Sequence, residues 1–404
     1  MEKRSLILLT FLSILFANCS SSKYVNYLKV NTESIQLTDS LQFNSLDNDF
    51  YNKKLFFVGE IHEVNTSPRI DFATFAQINE KKKIDYYLAE MDLIQGYYLQ
   101  KYLEGSNQLT LKEILENWVV YIGSISNQYR QKWVKMRKYY ADLPEDSKFK
   151  LIGIDKITDY DLLRKWLKEK LPNKYSNTIP SDNKELILWS ENNLKTIINA
   201  VKNTLEVEDI KLLEDVYFNL SNLNKIRTRD KFMYTNFKRY YKQNNWNNKT
   251  FYGGFGFAHT LQAYDYTLAG RIKKDTLLPF SNSMVSINAL YVDSRLTVQS
   301  RALPKFLQDK GKDFTRFKFS YDSRLFMYIR GIADYKKVTK PNTISLMKLD
   351  AKNSPYLQST RGTKTKSIIP IWEGFDILEE SVTTDYAQYI LFVRNADWII
   401  PDEQ

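Results

Sequence analysis

Short apolar runs, each closed by a glycine or an acidic residue, recur along the chain. Leu55-Phe56-Phe57-Val58 stops at Gly59, Ile84-Asp85-Tyr86-Tyr87-Leu88-Ala89 stops at Glu90-Met91-Asp92, and Phe149 to Ile154 stops at Asp155. Runs of this length without a clean polar alternation suit strands of a parallel sheet, whose two faces are both covered. Between the first two runs, Pro68 can open a helix, and Phe72, Phe75 and Ala76 give it an apolar stripe at i, i+3, i+4. Strand and helix alternating in this way predict an α/β fold with a mainly parallel central sheet and flanking helices. Further strands are expected at Thr250-Phe251-Tyr252, Met284 to Val292 and Tyr389-Ile390-Leu391-Phe392-Val393.

From about 160 to 248 the period changes to helical. Leu163, Trp166, Leu167 and Leu171 share one stripe that Pro172 stops, and Leu194, Ile197, Ile198, Val201 and Leu205 share another. Because strands resume at 250, this stretch reads as a helical insertion within a single domain spanning 51–404. Residues 20–50 are rich in Ser, Asn and Asp and read as a polar tether. No internal repeat is evident.

The N-terminus has a different character. Lys3 and Arg4 precede an apolar run from Leu6 to Phe16, which is shorter than the ~20 residues of a permanent membrane span but fits the core of an export signal. It ends in Phe16-Ala17-Asn18-Cys19, which resembles a lipobox, so residues 1–19 are expected to be a lipoprotein signal peptide with Cys19 as the lipid-bearing residue. The expected address is the bacterial cell envelope, facing the periplasm, with the lipid on Cys19 as the membrane partner. Cys19 is the single cysteine of 404 residues, which excludes an intrachain disulfide and a Cys-ligated zinc site. Stability must come from the core, for which 28 tyrosines, 23 phenylalanines and 7 tryptophans supply ample apolar area. The net charge of +11 does not point to nucleic acid, since the lysines are interspersed with acids, as in Asp161 to Lys170, and aromatics are spread throughout.

Candidate chemistry centres on two histidines, His62 and His259, each just past an expected strand and beside glycine. The contexts are Gly59-Glu60-Ile61-His62 and Gly253-Gly254-Phe255-Gly256-Phe257-Ala258-His259. Ligands of open α/β sheets bind at the carboxyl ends of strands, where Glu60, Glu90 and Asp155 are also expected. Imidazole can take a proton from water while a carboxylate orients the ring, or the same residues could bind a divalent metal. On an expected helix, Arg229, Met233 and Asn236 share a face at i, i+4, i+7.

The order Gly59-Glu60-x-His62, Ala89-Glu90, Gly153-x-Asp155, Arg229-Asp230-x-x-Met233-x-x-Asn236 and a glycine-rich strand end with His259 resembles the erythromycin esterase-like superfamily. ChaN-like haem-binding lipoproteins and Tiki/TraB proteins share the general style of site. The resemblance implies a hydrolase of small-molecule esters, lactones or amides that needs no cofactor. Its catalytic residues would be His62, Glu60, Glu90, His259 and Arg229, with Asp155 and Asn236 in binding roles. The related families imply two alternatives, haem or iron binding and metal-dependent proteolysis. Gln262 stands where the esterases carry a further histidine and cannot serve as a base, so the resemblance implies a reaction class and not a macrolide substrate.

Overall fold

The computed structural model describes residues 22–402, apart from 39, 107, 326 and 367–375. The expected signal peptide, residues 1–19 with Cys19, therefore lies outside the described residues. In chain order the strands are β1 (Thr32–Gln36), β2 (Leu55–Glu60), β3 (Tyr86–Asp92), β4 (Lys150–Asp155), β5 (Phe251–Gly256) and β6 (Met284–Val292). They continue with β7 (Ser294–Gln299), β8 (Phe314–Phe319), β9 (Asp322–Ser323), β10 (Met327–Ile329), β11 (Thr343–Lys348), β12 (Thr365–Lys366) and β13 (Tyr389–Arg394).

Eight of them form one sheet in the order β1-β11-β13-β6-β2-β5-β3-β4. From β13 to β4 every neighbouring pair is parallel, and β11 runs antiparallel to both β13 and β1. The expected α/β class with a mainly parallel sheet and flanking helices is what the chain adopts. Every residue of β2, β6 and β13 is buried. The helix Ser67–Lys81 packs on β2 and contributes to this cover, and it is why these strands read as nearly continuous apolar runs.

The stretch expected to be a polar tether belongs to the fold. Residues 22–30 are helical, and β1 pairs with β11 as an edge of the sheet. Tyr24, Leu28, Leu41, Phe43, Leu46 and Phe50 are buried and pin the segment down. An edge strand with a wetted face tolerates Thr, Glu, Ser and Gln, so composition alone could not separate it from a linker.

Between β4 and β5 the chain forms the helices Tyr160–Lys170, Asn173–Ser176, Asn183–Val201, Val207–Asn222 and Arg229–Gln243. Leu167, Leu194, Ile197, Ile198 and Val201 are buried as expected, but Leu205 falls beyond the end of its helix at Val201. The last of these helices packs on β4. Asn236 anchors it, its Nδ2 donating to the carbonyl oxygens of Ile154 at 2.9 Å and Asp155 at 3.3 Å. At the exit of β3, Asp92 accepts from Ile94 N and Gln95 N at 2.9 Å, capping the helix Leu93–Leu103. It also accepts from Thr158 N at 3.1 Å and Asp159 N at 3.0 Å, tying together the ends of β3 and β4. Burial pushes this carboxyl up to about 6, against the pull of those donors.

Strand β7 pairs with β8 as a separate antiparallel ribbon, and β12, β10 and β9 form a small third sheet. None of these short strands was legible from periodicity. Among the described residues no helix is long and apolar enough to cross a membrane.

Candidate active site

Strand β2 is the point where the chain's course over the sheet reverses. Strands β3, β4 and β5 lie on one side of it, and β6 and β13 on the other. A cleft is expected where strand carboxyl ends diverge at such a point. One of about 670 Å³ opens there, and its floor carries Glu60, His62, Glu90, Arg229 and His259.

The local sequence explains how each group reaches the floor. Glu60 is the last residue of β2, and Ile61 carries the chain over the edge to His62. Strand β3 shifts register against β4 after Ala89, the irregularity that includes Glu90. Strand β5 ends at Gly256 and turns into a short 3-10 segment, Phe257–Thr260, that brings up His259. A Cβ on Gly256 would lie 3.0 Å from His62 Nε2 and 3.5 Å from His259 Cδ2, so the missing side chain lets both imidazoles close over the strand end. The turn is held from the other side, where Thr260 Oγ1 donates to Asn288 Oδ1 of β6 at 2.7 Å.

Glu90 joins the parts. Its Oε2 accepts from Gly256 N at 2.6 Å and lies 3.4 Å from His62 Nε2. Its Oε1 lies 2.8 Å from Arg229 Nη2 and 3.5 Å from His259 Nε2. The other ring nitrogens also face carboxylates: His62 Nδ1 is 2.9 Å from Glu60 Oε1, and His259 Nδ1 is 2.8 Å from Asp230 Oδ1. Arg229 Nε donates to Asp155 Oδ2 at 2.5 Å, which fixes the guanidinium from below.

These contacts set the charges. Burial alone would lower the His62 pKa, but Glu90 and Glu60 outweigh it and raise it well above the ordinary 6.5. For His259 burial again acts downward; Asp230 and Glu90 raise the pKa, and Arg229 opposes them. Burial would raise the Glu90 pKa, yet His62, Arg229 and His259 hold it well below the usual carboxylate range. The floor therefore favours a proton on His62, whose two ring nitrogens face the acidic side chains of Glu60 and Glu90.

Of the seven residues singled out beforehand, five meet on the cleft floor. Asp155 and Asn236 do not line it: both are fully buried, Asp155 holding Arg229 and Asn236 holding its helix to β4. Residues overlooked in the sequence include Tyr129, whose hydroxyl donates to Glu60 Oε1 at 2.9 Å, and Trp118, whose Nε1 donates to Glu90 O at 2.6 Å. Burial and the charge of Glu60 hold the Tyr129 hydroxyl far above its ordinary pKa, so it stays a donor. Neither residue carried a sequence signal. Asp230 did, as the neighbour of Arg229, and its pairing with His259 follows from the start of that helix facing the end of β5. Among the described residues, no group of three or more His, Cys, Asp or Glu side chains is arranged to hold a metal ion.

The fold and floor together define an α/β protein with a histidine–carboxylate cleft at the strand carboxyl ends. No protein-family model matches the chain, and neither does any curated protein. Among solved structures, a protein from Bacillus cereus superposes with a TM-score of 0.64 at 13% identity, over 95% of this chain and 99% of that one. A succinoglycan biosynthesis protein gives a TM-score of 0.63 at 12% identity, again over 95% and 99%. At these identities the likeness is one of fold. ChaN of Campylobacter jejuni, solved with cofacial haem, reaches a TM-score of only 0.28 at 13% identity over 64% of this chain and 90% of that one, too low to carry an argument.

Proposed function

We propose that this chain is a hydrolase that uses the His62–Glu90–His259 floor to cleave an ester, lactone or amide of a small molecule. The observation that carries the reading is the position of Glu90, within 3.5 Å of both Nε2 atoms and beside Arg229. One carboxylate thus brings two proton carriers and a fixed cation to a single point. The motif order resembling the erythromycin esterase-like superfamily supports the same reaction class.

In the working form His62 is neutral. The 3.4 Å gap between its Nε2 and Glu90 is long for a charged hydrogen bond, so a water can compete for the nitrogen. His62 takes a proton from that water as the oxygen attacks the carbonyl carbon, and Glu60 steadies the imidazolium that forms. Arg229 faces the negative charge developing on the carbonyl oxygen. His259, with its raised pKa, gives a proton to the departing oxygen or nitrogen as the bond to carbon breaks. The products are an acid and an alcohol or amine, and both histidines return to their starting states by exchange with solvent.

The same reading keeps Cys19 as a lipid anchor and the cell envelope as the site of action. Screening the purified chain against simple esters, lactones and amides, alongside His62→Ala, tests the reaction. Turnover should fall by about 10²–10⁴-fold with an unchanged circular dichroism spectrum and Tm. Undiminished turnover in the variant would overturn the proposal.

A further inference from the structure

The ribbon β7–β8 forms part of one wall of the cleft through residues such as Leu296, Val298 and Phe314. Its connecting segment, residues 300–313, projects from the cleft rim at Gln299 and Ala302. Phe306 in this segment is 84% exposed, more than any other large apolar side chain among the described residues. Around it Arg301, Lys305, Lys310 and Lys312 are all exposed, against two acids, Asp309 and Asp313. Asp309 is partly engaged, accepting from Arg316 N at 3.1 Å.

Other segments of the rim have the same character. Tyr121 lines the cleft, is 52% exposed, and stacks on Phe314 with ring centroids 6.2 Å apart. Leu325, also 52% exposed, sits two residues before the lining residue Met327 and follows the exposed Arg324. A single exposed apolar side chain needs no explanation. Three of them, one lining the cleft and two within four residues of its lining in sequence, with five cations close by in sequence, are a different matter.

We propose that this rim docks on an anionic lipid surface, with Phe306 entering the headgroup region and the surrounding Lys and Arg side chains facing lipid phosphates. An aromatic ring beside basic residues is the side-chain chemistry that such an interface takes up: the ring reaches the acyl boundary while the cations remain at the charged surface. Each cation near the surface contributes on the order of fivefold in affinity at ordinary ionic strength. Docked in this way, the cleft would open towards the bilayer and admit amphiphilic substrates that partition there. That last consequence rests on the hydrolase reading; the docking does not.

The single cysteine makes a clean test. In the full chain with Cys19→Ala, an environment-sensitive dye is attached at Phe306→Cys or, as a control, at Lys195→Cys. Lys195 is exposed on the helix Asn183–Val201, which contributes no residue to the cleft lining. Vesicles of phosphatidylcholine, with and without phosphatidylglycerol, are then added. The dye at 306 should shift to the blue and become several-fold less accessible to iodide with the anionic vesicles only, while the dye at 195 stays wet. Tethering by the leader would bring both positions near the membrane and would not protect one selectively. Combining Lys305→Glu, Lys310→Glu and Lys312→Glu should abolish the shift at 306. Equal iodide access at both positions, or a shift unchanged by the triple reversal, would overturn the docking. Because no turnover is measured, that failure is distinct from failure of the hydrolase reading.

Discussion

His62 and His259 are built on one plan and sit in different fields. Each turns Nδ1 to a carboxylate and Nε2 towards Glu90. Around His62 the near charges are Glu60 and Glu90, whereas His259 also has Arg229 Nη1 at 3.5 Å from its Nε2. The guanidinium repels a proton on that ring, and the pKa of His259 is raised less emphatically than that of His62. The balance of neighbouring charge, more than burial, separates the two rings. Burial acts downward on both.

Since the chain has only these two histidines, their titrations can be followed individually by NMR. The largest effect is expected from Glu90→Gln, which removes the charge that both rings share. Both pKa values should fall towards the ordinary 6.5, His62 further than His259, and turnover should drop by about 10²-fold or more. A variant in which only one ring shifts would break the comparison. Gly256→Ala comes next, because its methyl would press within 3.0 Å of His62 Nε2 and 3.5 Å of His259 Cδ2. Roughly tenfold loss of kcat with a destabilisation of about 1–3 kcal/mol is expected in denaturant melts. Asp230→Asn should lower the pKa of His259 alone and leave His62 in place. The two-signal titration reads this directly.

Smaller still is Tyr129→Phe. It removes one donor to Glu60, making that carboxylate a stronger acceptor for His62, so the His62 pKa should rise slightly. The stability cost should be about 1 kcal/mol, seen as a lower urea midpoint.

The pH dependence sharpens the same contrast. With neutral His62 as base and protonated His259 as acid, kcat/KM follows a bell that rises through the lower and falls through the higher of the two raised histidine pKa values. Stability instead falls steadily through the same range. Both histidine pKa values are raised on folding, so their contribution is full below about 6.5 and fades as pH climbs through the folded values. Glu90, depressed on folding, contributes above its ordinary 4.5 and loses that contribution as pH falls through its folded value. The charged floor therefore stabilises the fold most between these two ordinary values, and melts across this range should detect it.

The main strands and their exits were readable because a parallel strand covered on both faces admits few polar residues until it leaves the sheet. Glu60, Glu90 and Asp155 stood out for that reason, as did the two histidines beside glycine. The edge strand β1 was not readable, because half of its surface is wet and its polar residues look like a linker. The ribbon β7–β8 escaped because its strands are short and one face carries charge, as in Phe314-Thr-Arg316-Phe-Lys318-Phe319. Tyr129 and Trp118 escaped because an aromatic hydroxyl or indole that will cap a carboxylate looks the same in sequence as one filling core.

Sequence alone thus determined the α/β class, the polar strand ends and the pair of histidines, all consequences of local chemistry and burial. Only the tertiary structure decided that β5 inserts between β2 and β3, so that Gly256 lies beside Glu60 and His259 reaches the charge of Glu90. Parallel strands are joined by crossovers and not by turns, so chain order does not fix which of them become neighbours; packing does. The same packing turned Asp155 and Asn236 from expected binding residues into buried supports beneath the floor.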